Sequence, residues 1–341
     1  MQKTNTDALH FPYTDVPDFG STLEVLPGIL WLRMPLPLTL DHINLYLVDA
    51  GSGWYIIDTG LKYPAIRQHW EALFEHGLLG RPVLGVAVTH MHPDHAGQAG
   101  WICERWRVPL YMTEAEYFTA RTFQAGPGES STWMIRDYYL RAGLSEGEFE
   151  QIRARARVFA AVVEPLPGSF LRLSDGDILH WGQRRLRVVT GQGHSPDHAC
   201  LLDEAAGALF SVDQVLPTIS SNISVLAIEP EADPLSRWLA SLRRMQALPD
   251  NLLVLPAHGL PFVGLHARLN QLIEHHQLQL RALEAACADE GSTALELLPV
   301  LFKRELSGEQ RNLALGECIA HLHYLMGEGV LQRRIEGEVY R

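Results

Sequence analysis

The chain has 341 residues, of which 47% are hydrophobic and 20% charged, the balance of a globular protein with room for a large core. Its net charge of −12 disfavours broad contact with nucleic acid or an anionic membrane. The four cysteines, Cys103, Cys200, Cys287 and Cys318, lie far apart and form no C-x-x-C pair. That excludes a disulfide framework or a structural zinc knuckle and fits a reducing, cytoplasmic compartment. Residues 1–20 carry no apolar h-region and read as a polar surface arm without a secretory signal. No apolar run approaches the roughly 20 residues that span a bilayer.

From Leu23 the pattern turns strand-like over residues 26–32, followed by a link punctuated by Pro35 and Pro37. Residues 43–49 and 54–60, joined by Gly51-Ser52-Gly53, read as a β-hairpin that ends in Asp58-Thr59-Gly60. A helix is expected over 65–76. The apolar, β-branched run 83–88 then reads as a buried strand.

The next stretch organises the chain: Thr89-His90-Met91-His92-Pro93-Asp94-His95-Ala96-Gly97. His90 and His92 are two apart, so in an extended segment they point to the same side. Pro93 bends the path and can swing Asp94 and His95 toward a second point nearby. Imidazole and carboxylate suit zinc and similar divalent ions, so the spacing predicts two metals sharing one loop.

A helix is expected over 98–107 and a short strand over 108–112. Residues 115–165 carry Phe118, Phe123, Trp133, Tyr138 and Tyr139, a Gly126-Pro127-Gly128 break and a polar helix over 145–158. Arg153, Arg155 and Arg157 cannot form one helical stripe and read as a solvated face. The segment is either a helical substrate lid or an insertion that only extends the core.

Strand patterns return at 171–177 and 186–190. The second runs into Gly191-Gln192-Gly193-His194-Ser195-Pro196-Asp197-His198. Two more apolar strands end in Asp213 and in Ala257-His258-Gly259. Between them, Leu235, Trp238, Leu239 and Leu242 fall at helical spacing and read as core. A long helix over 266–289 carries His275 and His276, read as exposed. His10, His42, His180 and His266 have no strand-end context and read as structural.

His90-x-His92-x-Asp94-His95 resembles the signature of the metallo-β-lactamase superfamily of hydrolases, and Gly193-His194-Ser195-Pro196-x-His198 resembles a later motif of that family. The resemblance implies an α/β fold, a four-layer αβ/βα sandwich. It implies that His90, His92 and His194 hold one metal, that Asp94, His95 and His258 hold the other, and that Asp213 bridges them. Asp58 would support a ligand histidine, Asp94 would also orient the nucleophile, and His198 would pack or support the site. Two divalent ions are implied, zinc foremost, with iron or manganese as alternatives.

Residues 1–265 are expected to form the catalytic domain, with 115–165 inserted, and 266–290 a linking helix. Residues 291–341, a helix over 293–303, a helix over 309–326 and β-like pieces at 330–333 and 338–340, resemble a winged-helix-like tail. With few cations on its long helix, the tail is expected to pack on its own core or on a partner subunit in a homodimer rather than on nucleic acid.

The implied function is hydrolysis of a small ester, thioester or lactone, with side activity on β-lactams. The alternatives are a phosphodiesterase or ribonuclease of the same superfamily, or a non-catalytic binding module. Ser220, Ser221 and Asn222, just beyond Asp213, together with Tyr138 and Tyr139, are the candidate substrate contacts; an ordinary capped turn is the other reading of residues 220–222.

Overall fold

A computed structural model describes residues 8–37, 40–126, 132–154, 158–287, 291–306 and 308–341. Arg155, Arg157 and the Pro127-Gly128 part of the glycine–proline break lie outside these described residues, as do Met1 to Asp7 of the N-terminal arm.

Seven strands form one sheet in sequence order: β1 (Thr22–Leu26), β2 (Ile29–Pro35), β3 (His42–Asp49), β4 (Trp54–Ile57), β5 (Val83–Ala87), β6 (Leu110–Thr113) and β7 (Leu171–Leu173). The first four run antiparallel, with β3 and β4 paired from Tyr46↔Ile57 to Asp49↔Trp54, as the hairpin pattern predicts. β4 to β7 are parallel, which demands crossover helices. The first two crossovers are α1 (Pro64–Ala72), then α2 (Pro93–Ala96) with α3 (Ala99–Trp106). The expected helix over 65–76 changes character after Ala72, where a π-type turn takes over from Leu73 to Gly77.

The described part of the 115–165 segment forms four helices: α4 (Glu114–Ala125), α5 (Thr132–Arg141), α6 (Glu146–Ala154) and α7 (Val158–Val162). A second sheet has the order β12-β11-β10-β9-β8, from β8 (Ile178–Trp181), β9 (Arg184–Gly191), β10 (His198–Asp203), β11 (Ala208–Val212) and β12 (Leu253–Pro256). Helix α8 (Pro234–Met245) sits between β11 and β12 in sequence. It is followed after β12 by α9 (Leu265–Ala286), α10 (Ala294–Leu301), α11 (Gly308–Gly327) and a ribbon of β13 (Ile335–Glu336) and β14 (Val339–Tyr340). The expected strand at 330–333 does not form, its place being taken by β13 a few residues later, while β14 falls within the expected 338–340.

Period-two alternation divides the second sheet between two cores. On β10, Ala199 and Leu201 join Trp31, Leu45, Tyr46 and Phe210 in a cluster shared with the first sheet, and the Tyr46 and Phe210 rings meet edge-on at 5.4 Å. Cys200 and Leu202 face the other way, into a cluster with Leu235, Trp238 and Leu239 of α8, Leu269 of α9 and Leu315 of α11.

The spacing of Leu235, Trp238, Leu239 and Leu242 is therefore core, as expected, with exposures of 1% or less. His276 is a correction. It is fully buried, because α9 packs against both α8 and α11 and so has little solvent-facing surface left for this pair; its neighbour His275 is half-buried. Replacing Trp238 with Ala should lower unfolding stability by about 3–5 kcal/mol. The check is a urea titration, and a loss below about 1 kcal/mol would contradict this packing.

Candidate metal centre

The site lies where β4, β5, β9, β11 and β12 end. Asp58 follows β4, His90 and His92 follow β5, Asp94 and His95 sit on α2, His194 follows β9, Asp213 follows β11 and His258 follows β12. Backbone strain marks two of these exits. Asp58 has φ +60° and Val212, next to Asp213, has φ +48°, a costly setting for a β-branched residue that the surrounding structure must enforce. Gly97, which closes the histidine loop, has no room for a side chain: a Cβ there would lie 2.5 Å from the Gly60 carbonyl, the Lys62 nitrogen and the Pro93 carbonyl.

The side chains form two groups, His90–His92–His194–Asp213 and Asp94–His95–His258, each with ligand atoms within 4.8 Å of one another. Asp213 joins them. Its Oδ2 lies 3.3 Å from His194 Nε2, 3.4 Å from His95 Nε2 and 3.8 Å from His90 Nε2, while its Oδ1 is 3.6 Å from His258 Nε2. Asp94 Oδ2 lies 3.5 Å from His258 Nε2 and 3.7 Å from His95 Nε2.

Four imidazoles are fixed from behind. His194 Nδ1 donates to the Asn222 carbonyl at 2.9 Å and His258 Nδ1 to the His42 carbonyl at 2.8 Å. His95 Nδ1 is 2.8 Å from Asp58 Oδ2. Asp58 also accepts from the Thr89 N–H and hydroxyl, both at 2.8 Å. That leaves the Thr89 oxygen to accept from His90 Nδ1 at 3.1 Å. In His90 and His194 the outer nitrogen holds the proton, so Nε2 turns inward as a lone pair, while His95 and His258 present Nε2 to the Asp94 and Asp213 carboxylates.

This arrangement fits a cation. His90 Nε2, His92 Nδ1 and His194 Nε2 crowd to 2.8, 3.0 and 3.3 Å. Two of the three are lone pairs, so hydrogen bonds cannot satisfy every contact, whereas one central positive charge can. His95 Nε2 of the second group and Oδ1 of the joining Asp213 are buried without a hydrogen-bond partner, the condition a ligand atom would leave.

Burial pushes the His92 pKa down to about 3 and holds His90 well below its usual value. Both are therefore neutral, as ligands must be. Burial also opposes a charged His95, but the carboxylates of Asp94, Asp58 and Asp213 override it and raise that pKa well above the ordinary value. Burial works against Asp94 too, yet His95 and His258 bring it down to about 2. His90 and His92 are thus neutral nitrogen donors, whereas His95 is held toward its charged form by the carboxylates around it.

Other residues brace the centre. His198 stacks on His90, with ring centroids 4.7 Å apart. On β3, Asn44 Nδ2 donates to the Pro256 and Gly259 carbonyls, the Tyr46 hydroxyl donates to Pro256, and His42 Nε2 accepts from the Gly259 N–H. His42 thus touches the His258 turn twice, which corrects its reading as a histidine without site context. The alternation His42-x-Asn44-x-Tyr46 on an apolar strand was the available signal.

The candidate substrate contacts sit elsewhere than in open solvent. Ser221 Oγ donates to the Asp213 carbonyl, Ser220 Oγ lies 3.1 Å from His276 Nε2, and Asn222 Nδ2 donates to Glu317 at 2.9 Å. The Tyr138 hydroxyl donates to the Val225 carbonyl at 2.8 Å, and Tyr139 is buried.

Glu116, on α4, carries no sequence mark of its role. Fully buried, it accepts from the Met91 N–H at 2.9 Å and the Asp197 N–H at 2.7 Å, tying the first histidine loop to the loop of His194. Burial pushes its pKa up to about 7. The folded value lies above the unfolded one, so this residue's contribution is full below about pH 4.3 and is lost as the pH rises through about 7. Glu116→Gln should therefore flatten the pH dependence of unfolding stability between those limits, by on the order of 2 kcal/mol. Parallel denaturant midpoints at pH 4.5 and 7.5 check this, and unchanged slopes would contradict it.

Two family models match the chain. The metallo-beta-lactamase superfamily model covers residues 38–258, and the metallo-beta-lactamase-like C-terminal domain model covers 280–341, beginning inside α9. A beta-lactamase domain protein from Burkholderia ambifaria superposes with a TM-score of 0.91 at 42% identity, over 100% of this chain and 99% of that one. An acyl-coenzyme A thioesterase of Bos taurus is 32% identical over 198 residues, 55% of this chain and 63% of that protein. The match therefore spans just under two thirds of that relative's length. An atrochrysone carboxyl ACP thioesterase of Aspergillus terreus is 26% identical over 306 residues, 85% of this chain and 76% of that protein. With its paired sheets, its strand-end histidines and a superfamily match across most of the chain, the protein belongs to the metallo-β-lactamase superfamily and carries that group's C-terminal domain.

Proposed function

We propose that the protein is a dinuclear metal-dependent hydrolase of acyl thioesters. The observation that carries this reading is the Asp213 carboxylate, whose two oxygens face the two histidine groups. His90, His92 and His194 would hold one ion and Asp94, His95 and His258 the other, with Asp213 shared. Zinc suits these nitrogen and oxygen donors. Two such ions polarise an acyl carbonyl and lower the pKa of a water from 15.7 toward about 7.

The chain's own residues do the rest. Asp58, Thr89, Asn222 and His42 hold the rings in one orientation, so the inner face of the site is preorganised. Asp94 keeps 19% of its side chain exposed, which suits it to orient the attacking water and take its proton. The water oxygen bonds to the acyl carbon, the carbon–sulfur bond breaks, and the sulfur leaves with the electron pair. No serine or cysteine nucleophile is required.

Thioesters are favoured over other carbonyl substrates because the relatives from Bos taurus and Aspergillus terreus are both named thioesterases, one for acyl-coenzyme A and one for a carrier-protein acyl group. The two cores on either side of the second sheet support the four-layer description. The order α10, α11, ribbon supports a winged-helix-like tail, which packs on α9 rather than offering a basic helix to nucleic acid. The lid reading of α4 to α7 is supported by Glu116 of α4, which bonds to both histidine loops. Among the described residues no helix is long and apolar enough to cross a membrane, and the cytoplasm remains the compartment that the cysteine pattern favours.

Two outcomes are expected. Asp213→Ala should fold, bind fewer ions than wild type and lose more than about 100-fold in turnover, beyond the loss typical of an outer hydrogen-bond partner. Metal analysis beside circular dichroism checks it, and full activity would remove Asp213 from the centre. On a panel of an acyl-coenzyme A, a lactone, a cephalosporin, an aryl phosphodiester and single-stranded RNA, the thioester should show the highest kcat/KM. Turnover of the phosphodiester or RNA alone would overturn the reading.

A further inference from the structure

The loop that follows Asp213 is pinned from behind by the C-terminal helices. From α9, the buried Arg268 donates to the Leu216 carbonyl at 2.5 Å and the Ile219 carbonyl at 2.7 Å. His276 Nε2 meets Ser220 Oγ at 3.1 Å, and its Nδ1 lies 3.1 Å from His321 Nε2 on α11. His321 Nδ1 in turn donates to the Glu317 carbonyl at 2.8 Å. At the far end the Val225 N–H donates to the Gly316 carbonyl at 3.1 Å. There the helix comes so close that a Cβ on Gly316 would lie 2.9 Å from Ser224.

One path through this network reaches a candidate ligand in two steps. Glu317 Oε2 accepts from Asn222 Nδ2 at 2.9 Å, and the backbone carbonyl of Asn222 accepts from His194 Nδ1 at 2.9 Å. The rest of the Asn222 amide is also occupied, since Ser224 Oγ donates to its Oδ1 at 2.6 Å. Among the described residues, the Asn222 carbonyl is the hydrogen-bond acceptor for His194 Nδ1. The direction of that carbonyl therefore sets the direction of the ring.

The geometry points to Glu317, on the C-terminal helix α11, as a positioning residue for the metal centre: through Asn222 it orients His194. The C-terminal domain is then part of the construction of the site rather than an appendage to it. This rests on the metal-centre reading above. A carboxylate is needed at position 317 only as an acceptor, so a Gln, whose amide oxygen can accept from Asn222, should serve almost as well. An Ala removes the Glu317 acceptor and leaves the Asn222 amide held by Ser224 at its Oδ1 and by a longer 3.5 Å contact of Nδ2 to the Leu313 carbonyl, so the backbone carbonyl is less firmly directed. Outer partners of this kind typically change metal affinity by about 10–100-fold.

The test is cobalt(II) titration of the full-length metal-free protein, followed by visible absorption, with thermal melts on every variant. Wild type should bind two ions. Glu317→Ala should bind one of them about 10-fold more weakly with an altered visible band, leaving the other unchanged, and Glu317→Gln should resemble wild type. Asn222→Ala keeps the backbone carbonyl but loses its anchor, so it should reproduce the Glu317→Ala effect, and the double variant should add nothing. This arm decides the matter if Glu317→Ala does not fold. Folded single variants that bind both ions like wild type, or a double variant whose losses add, would overturn the positioning role alone. A wild type that binds no cobalt would instead overturn the metal-centre reading, and the positioning role with it.

Discussion

Four imidazoles in this protein turn Nε2 into the metal centre because each is held by a partner behind its Nδ1. That constraint governs the rest of the structure. The inward nitrogens of His90 and His194 lie 3.3 Å apart, and a fold can hold them there only if the partners behind them are rigid. The partners are the Asn222 and His42 carbonyls, the Thr89 hydroxyl and the Asp58 carboxylate. Each belongs to a different segment, so the site depends on the mutual placement of both sheets and of the loops at their ends. The left-handed backbone at Asp58 and Val212 is stored strain of the kind that such over-determined sites sustain.

The two cores explain how that placement is secured. The second sheet is buried on both faces, by the first sheet on one side and by α8, α9 and α11 on the other. Its strand ends, which carry His194, Asp213 and His258, cannot shift without disturbing one packing surface or the other. Glu116 and the His42–Asn44–Tyr46 row then tie the strand ends of one sheet to those of the other. Rigidity at the metal centre is therefore a property of the whole layered assembly.

Much of this was legible in the sequence for a physical reason. Metal ligands concentrate in a few residues at strand exits, and strands betray themselves by β-branched apolar runs, so residues 83–95, 186–198, 208–213 and 253–258 announced the site. The helix of Leu235, Trp238 and Leu239 was equally readable, because 3.6-residue periodicity is a direct projection of burial. What escaped was support at long range. Glu116 and Glu317 are acids on helices, and nothing local distinguishes an inward acid from a solvated one. His276 was misjudged for the same reason: a histidine pair on one helix shows which faces are available, not which face another helix will cover. The first strand of the tail's ribbon lies a few residues beyond its expected place, while the second falls within 338–340, because strands of two residues have too little pattern to fix their own ends.

The most direct test of the central claim is anomalous diffraction from crystals of the metal-loaded protein, recorded on both sides of the metal absorption edge. Two peaks per chain are expected. One lies about 2.0–2.2 Å from His90 Nε2, His92 Nδ1 and His194 Nε2, the other at the same distance from Asp94, His95 Nε2 and His258 Nε2, with an Asp213 oxygen on each. A single peak, or peaks away from these side chains, would contradict it.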